Sequence, residues 1–412
     1  MYSVVKEPFD HDMPSGKSLA ILNVIPTLGV GGAERWLTTL GPALQKRGHE
    51  FHVAALWAPY NLGQELEAAG IHVFRLDVPH RRLFPIAIAK LRALMHRNQY
   101  DIVNGHLLFG SLYARFAATL ARGPARVVST MYNLGYDSYP AKSTYRRLGK
   151  YLDGWSARRL DDLAICVSHG VEAHYRKHLG LAKTFVLPLG ISPETVIGKS
   201  TRDRDELRRS LGIGNSFVIV NPARFVPEKG HRYLLEALRI LKTVHELTPQ
   251  VLAIGGGSLR PVIEEAARER GLVDQVTFLP ALPQQHLLEY MRAADLMVLP
   301  STHDGCPTVV LEAMALGIPV VATAVGGIVD QVDPDVSGLL VPPADAESLA
   351  DALLRIMNNQ ELREQLAHTA KRHVERFYVA ELAQCYEALC MQLLTKGRAG
   401  TPSATSVPEI GT

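Results

Sequence analysis

Arg224 and Lys229 stand in the stretch NPARFVPEKG, just past an apolar run of strand length and just before a helical pattern. From that position two cations can face one diphosphate and neutralise a leaving group as a magnesium ion would. The plainer alternative is two surface charges at a domain edge. A second motif strengthens the pair: STHDGCPTVVLEAM follows the strand pattern LMVLP and enters a helix, with Asp304 on the loop and Glu312 near the second turn. Between them the backbone N–H groups of Cys306, Thr308 and Val309 lie at a helix N-terminus suited to phosphate, and carboxylates accept hydrogen bonds from sugar hydroxyls. On this reading Asp304 holds a sugar and Glu312 a ribose. Against it stands a loop acid near an N-cap and an ordinary helix residue.

Three further signals are weaker. TLGVGGAERW is a glycine-rich loop opening a helix, where free N–H groups attract phosphate. Dinucleotide binding is disfavoured there, because Glu34 occupies the place of a third glycine after Gly29 and Gly31, and the second strand pattern ends at Leu56 and Trp57 without an acid for a ribose. His106 follows DIVNG at the carboxyl end of a strand, where open α/β sheets bind ligands, although a lone histidine is more often structural. The DxD strings DHD (10–12), DRD (203–205) and DPD (333–335) sit in tail, linker and turn contexts and are discounted as Mg²⁺ sites. SHG after DLAICV lacks the leading glycine of a nucleophile elbow.

The elements that must position these residues alternate in strand and helix. LAILNVI, FHVAALW, IHVFRL, DIVNG, RVVSTM, DLAICV and TFVLPL read as strands, with helices from about Ala33, Gly63, Pro85 and Ser111. After a polar stretch at 190–212 a second series begins: SFVIVNPA, QVLAIGG, QVTFLP, LMVLPS and PVVATA, with helices from about His231, Leu259, Pro283, Thr308 and Ala346. This predicts an α/β chain of two Rossmann-like, parallel-sheet domains. The expected organisation is a tail over 1–18, a first domain over 19–195, a second over 196–370, a helix over 371–394 returning to the first domain, and a disordered tail over 395–412.

A length of 412 residues suits two cores, and 47% apolar with 21% charged residues is a globular profile. Residues 1–195 carry 23 Lys+Arg against 15 Asp+Glu, and residues 196–412 carry 21 against 26, so the halves are near +8 and −5. The first half's excess includes Arg75, Arg81, Arg82, Lys90, Arg92, Arg97, Lys142, Arg146, Arg147, Lys150, Arg158 and Arg159. An anionic membrane would attract them; solvated helix faces explain them equally well. Cys166, Cys306, Cys385 and Cys390 have no metal or disulfide spacing, which points to reduced thiols and the cytoplasm. Leu19–Ala33 runs straight into a helix start behind an acidic leader, so it is not read as a signal peptide, and Val309–Val329 is broken by Gly317 and Pro319 and reads as core.

Taken together, GGAER…LQKRGHEFHV, His106, VSHGV, VLPLG, ARFVPEKGHRYLLEAL, IGGGSLRPVIEEAARERGL and DGCPTVVLEAMALGIPVVATAVGG resemble the retaining family 4 glycosyltransferases of GT-B fold, in family order over roughly residues 19–394. The resemblance implies that Gly31 and Gly32 approach the donor's phosphates, that Arg224 and Lys229 bind the diphosphate, and that Asp304 and Glu312 form the family's acidic pair. Gly305, Cys306, Pro307, Thr308 and Val309 would complete the donor site, and His106 would lie near the transferred sugar. His106, Arg224, Lys229 and Asp304 are the expected catalytic set, with no metal and no cofactor. Three departures bear on donor identity: Asp304 replaces the usual first glutamate, Asn104 replaces the first histidine of H-x-H, and Pro222–Ala223 replaces the usual glycine. The expected reaction moves a hexose from a nucleotide diphosphate sugar, UDP favoured over GDP, to a glycan or lipid-linked acceptor of bacterial envelope or exopolysaccharide synthesis. Nucleic acid is not an expected partner. A nucleotide-sugar epimerase on the same architecture, an NAD enzyme and a silent sugar-binding protein are the rival classes.

Overall fold

The computed structural model describes residues 17–79, 84–138, 144–198 and 202–395. The DHD string, Arg81, Arg82, Lys142, the Arg146 side chain, most of the N-terminal tail and the tail from Lys396 lie outside the described residues.

The chain divides into two units. One runs to Gly190 and resumes at Val379; the other is Ile191–Tyr378. In the first, β1 (Ala20–Ile25), β2 (Glu50–Ala55), β3 (His72–Arg75), β4 (Ile102–His106), β5 (Arg126–Met131), β6 (Leu163–Cys166) and β7 (Thr184–Val186) form one parallel sheet ordered β3-β2-β1-β4-β5-β6-β7. In the second, β8 (Val218–Pro222), β9 (Gln250–Ile254), β10 (Val276–Leu279), β11 (Leu296–Leu299), β12 (Val320–Thr323) and β13 (Leu339–Val341) form another, ordered β10-β9-β8-β11-β12-β13. β4, β5, β8, β11 and β12 are buried at every position, as expected of parallel strands covered by helices on both faces, and most of their residues are Val, Ile, Leu and other apolar types. Strand order reverses between β1 and β4 and again between β8 and β11. Those are the points where such sheets open a crevice at their carboxyl ends.

Several expected boundaries shift. β13, only three residues long beside a glycine and two prolines, carries too little pattern to be seen in the sequence. The helix Thr144–Leu160 also escapes the sequence pattern, and the helix expected from Ser111 begins at Leu107, directly after β4. The segment expected as one helix over 371–394 is instead the end of Gln360–His373, a 3-10 turn Val374–Phe377, an extended Tyr378 and the helix Val379–Thr395. The break is tertiary in origin: Ile191 pairs with Tyr378, and its N–H donates to the Phe377 carbonyl at 3.1 Å. Val379–Thr395 packs on the helix Gly32–Lys46, where Glu387 meets Arg47 at 2.5 Å and His49 at 3.3 Å. Among the described residues, no helix is long and apolar enough to cross a membrane. All four cysteines are free and buried.

Candidate functional site

Arg224 and Lys229 leave β8 on a loop that lies beside the loops following β9 and β11. The Ala223 N–H donates to the Ile254 carbonyl at 3.0 Å and the Phe225 N–H to the Gly256 carbonyl at 2.9 Å, which fixes the backbone on either side of Arg224. A 3-10 turn, Pro227–Lys229, then presents Lys229. Gly230 ends it at φ 65°, and a Cβ there would stand 1.9 Å from the Pro300 carbonyl oxygen. The Thr302 N–H donates to the Glu228 carbonyl at 2.8 Å, so the two loops are locked backbone to backbone. Gly326 performs the same service from the loop after β12: at φ 50°, its Cβ would sit 1.6 Å from the Asp304 oxygen.

This packing brings Lys229 and Asp304 together. The Lys229 Nζ donates to the Asp304 Oδ2, and the Ser301 hydroxyl donates to the same oxygen at 3.1 Å. Both charged side chains are nearly covered, with 14% and 11% exposed. Arg224 differs: it is 69% exposed and only 4.0 Å from Glu228, a loosely held cation free to turn toward an anion. His231 stacks on Phe225 behind this loop, with centroids 4.3 Å apart. Burial first, and then the Lys229 charge, push its pKa down to about 4, so it is a neutral support.

Gly305, Cys306 and Pro307 are buried and lead into the helix Thr308–Leu316, whose N-cap position is Pro307 with no side-chain cap. The first-turn N–H groups of Thr308 and Val309 therefore face outward at the positive end of the helix dipole. Gln331 holds the approach, donating to the Pro307 carbonyl at 3.2 Å and to the Cys306 sulfur at 3.3 Å. Glu312 lies in the second turn, buried, and its Oε1 accepts from Gln284 at 3.0 Å. Sequence reasoning missed Gln284, Ser301 and Gln331. Ser301 stood inside the loop motif, whereas no spacing rule links Gln284 to a glutamate 28 residues away.

The first unit holds the other candidates. His106 ends β4 with its ring buried; its Nε2 faces the Asn23 Oδ1 at 2.9 Å and its Nδ1 the Tyr132 hydroxyl at 2.6 Å. The Asn23 Nδ2 donates to the His52 carbonyl, which leaves Oδ1 to accept. The tautomer follows: Nε2 carries the hydrogen and Nδ1 accepts from Tyr132. Burial pushes the ring down to about 3, so at neutral pH it is uncharged. Gly31 is the N-cap of Gly32–Lys46, again without a side-chain cap.

The discounted motifs have structural work. Asp203 of DRD caps the helix Arg204–Ser210, accepting from the Asp205 and Glu206 N–H groups. Asp333 of DPD pairs with His373 at 3.0 Å, and Ser168 of SHG caps the helix His169–Leu179.

Comparison with known proteins bears on the family and the fold. Residues 30–195 match the model described as Glycosyltransferase Family 4, and residues 203–373 match Glycosyl transferases group 1. A Bacillus subtilis glycosyltransferase, TuaC, named for teichuronic acid biosynthesis, is 30% identical over 288 residues, 68% of this chain and 67% of its own. The N-acetyl-alpha-D-glucosaminyl L-malate synthase of Bacillus anthracis is 25% identical over 383 residues, 90% of this chain and 96% of its own. The structure of Anabaena HepE with UDP-glucose superposes with a TM-score of 0.79 at 23% identity, covering 91% of this chain and all of HepE, a likeness of fold. Two Rossmann-like sheets of this order, with these matches, define a glycosyltransferase of the GT-B type. The chain belongs to glycosyltransferase family 4.

Proposed function

We propose that this enzyme transfers a hexose from a nucleotide diphosphate sugar, UDP-linked in preference to GDP-linked, with retention and without a metal ion, to a glycan or lipid-linked intermediate of bacterial envelope or exopolysaccharide synthesis. The observation that carries the donor reading is the contact of Lys229 with Asp304 beside the uncapped start of Thr308–Leu316. One cation, one acid and a helix dipole there suit a diphosphate joined to a hydroxylated ring. HepE, solved with UDP-glucose, supports uridine, and the name of TuaC supports an envelope glycan.

In this reading Arg224 swings onto the diphosphate, Lys229 exchanges its carboxylate for phosphate, and the N–H groups of Thr308 and Val309 take a further oxygen. Asp304, released, accepts from a sugar hydroxyl, and Glu312 accepts from the ribose. As the diphosphate departs, its growing charge is met by groups already oriented, which is the largest source of rate in such a step. The acceptor hydroxyl attacks the same face of the anomeric carbon and gives its proton to the departing phosphate. His106, neutral and doubly hydrogen-bonded, orients rather than exchanges protons. The enzyme works in the cytoplasm, at the inner face of an anionic membrane.

A thermal-shift screen of UDP-, GDP- and ADP-sugars with and without EDTA tests the donor side. Stabilisation by one class, unchanged by chelator and lost in Arg224→Ala and Lys229→Ala, is expected; a shift that needs the metal contradicts the metal-free step. Anomeric proton couplings of the product test retention. Donor consumption without acceptor would favour the epimerase, and binding without turnover the silent protein.

A further inference from the structure

Asp304 and Glu312 are held in different ways. Asp304 rests on the Lys229 ammonium, whereas Glu312 takes an N–H from the neutral side-chain amide of Gln284 at 3.0 Å. Gln284 opens the helix Gln284–Ala293, directly after Pro283, and its side chain reaches across to the helix Thr308–Leu316. A shared core sets the spacing of the two helices: Leu288 and Met291 from one, and Val310, Leu311 and Met314 from the other, lie in the same apolar cluster. Glu312 is 4% exposed and Gln284 is half-buried, so water competes little for their contact. Only the NH2 end of a glutamine amide donates, so the Gln284 carbonyl turns away from the carboxylate. A tether on Oε1 fixes the plane of the Glu312 carboxylate before any ligand arrives, which removes an ordering cost from binding.

Resting on the donor reading above, in which Glu312 accepts from the ribose, we infer that Gln284 is a positioning residue for that contact, and that its tether makes the site select a ribonucleotide over a deoxyribonucleotide. A neutral amide orients the acid without competing for its charge, unlike the cation on Asp304. A carboxylate aimed in advance accepts a charge-assisted bond from a ribose hydroxyl. The analogue without that hydroxyl leaves the buried acid short of a partner, and this penalty is what rejects it. The penalty is full only if the acid is kept from turning to another donor, and Gln284 keeps it in place.

Titration calorimetry on the full-length protein uses UDP, 2′-deoxy-UDP and 3′-deoxy-UDP, with GDP and its deoxy forms in parallel, at about pH 8, where an imidazole is neutral. Wild type is expected to bind at least one deoxy form about tenfold or more weakly than its parent, as loss of a bond to a charged group predicts. Gln284→Leu keeps the bulk and removes the donor, and Gln284→Glu keeps the shape and sets a second carboxylate against the first. In both, the parent nucleotide weakens while the deoxy form does not, and the ratio falls to within about threefold. Gln284→His offers an N–H at a similar reach and keeps the wild-type ratio. Melting temperatures matching wild type show that the variants are folded. A wild-type ratio in both Gln284→Leu and Gln284→Glu overturns the inference and leaves the donor reading standing. The same loss in all three variants also overturns it, since the effect would then follow packing rather than the donated hydrogen. Equal binding of parent and deoxy nucleotides by wild type overturns the ribose role of Glu312 and the inference with it, while the diphosphate contacts stand. Failure of wild type to bind UDP or GDP overturns the donor reading as a whole.

Discussion

Replacing Asp304 by Asn separates two roles that the structure couples. In the free enzyme the Lys229 ammonium rests on the Asp304 carboxylate, and both are largely covered. A diphosphate must break that contact before Lys229 can serve it. Asparagine keeps the shape and an oxygen for the Ser301 hydroxyl but removes the charge that competes for Lys229. A partly covered pair of this kind holds about 1–2 kcal/mol, between exposed and fully buried pairs, so the free nucleoside diphosphate is expected to bind about fivefold to thirtyfold more tightly. The sugar loses a charged acceptor worth about 1.5–3 kcal/mol, so kcat/KM for the intact donor falls about tenfold to a hundredfold. The signature is opposite signs for product and substrate. Titration calorimetry with UDP and steady-state kinetics with the sugar donor supply the two numbers. Equal weakening of UDP binding and of transfer would show that Asp304 does not compete for Lys229, and the account of the site would fail at its centre.

Two glycines contrast in the same way. Gly326→Ala must move the Asp304 backbone and adopt a left-handed φ, so it is expected to cost more than about 2 kcal/mol and lower the melting temperature, as read by differential scanning calorimetry. Gly32→Ala would meet no protein atom within 4 Å, so stability holds while donor KM rises if phosphate approaches this backbone; an unchanged KM removes Gly32 from the site. His106 gives a pH test. Its ring is pushed from 6.5 down to about 3 in the folded state. Within that window the unfolded chain binds a proton that the folded chain does not, so stability falls on acidification from about 6.5 toward 3, by about 1.4 kcal/mol per pH unit from this group. His106→Gln is expected to flatten that slope in melting curves and to leave no missing limb near pH 6.5 in the rate profile. Arg115→Ala strips the counter-charge from buried Asp153 and Asp161, at 2.6 and 2.9 Å, and is expected to cost about 3–5 kcal/mol and unfold the first unit early under urea.

The two parallel sheets were legible in the sequence because a strand buried on both faces must be an apolar run, and a helix after it must change to a longer period. For the same reason Arg224, Lys229 and Asp304 could be singled out as candidates, since they lie on loops between a strand's end and a helix's start, with Glu312 in the second turn of the helix that follows Asp304. What only tertiary structure decided was the pairing. Lys229 and Asp304 stand 75 residues apart, and their contact depends on Gly230 and Gly326 letting separate loops touch. The helix break at Tyr378 depends on Ile191, and the tautomer of His106 on Asn23 and Tyr132, none of them neighbours in the chain. Local composition dictates which elements form, because burial period and backbone freedom are local properties. Charge state and partner choice come from which distant groups share a low-dielectric space, and that is settled only when the chain has closed on itself.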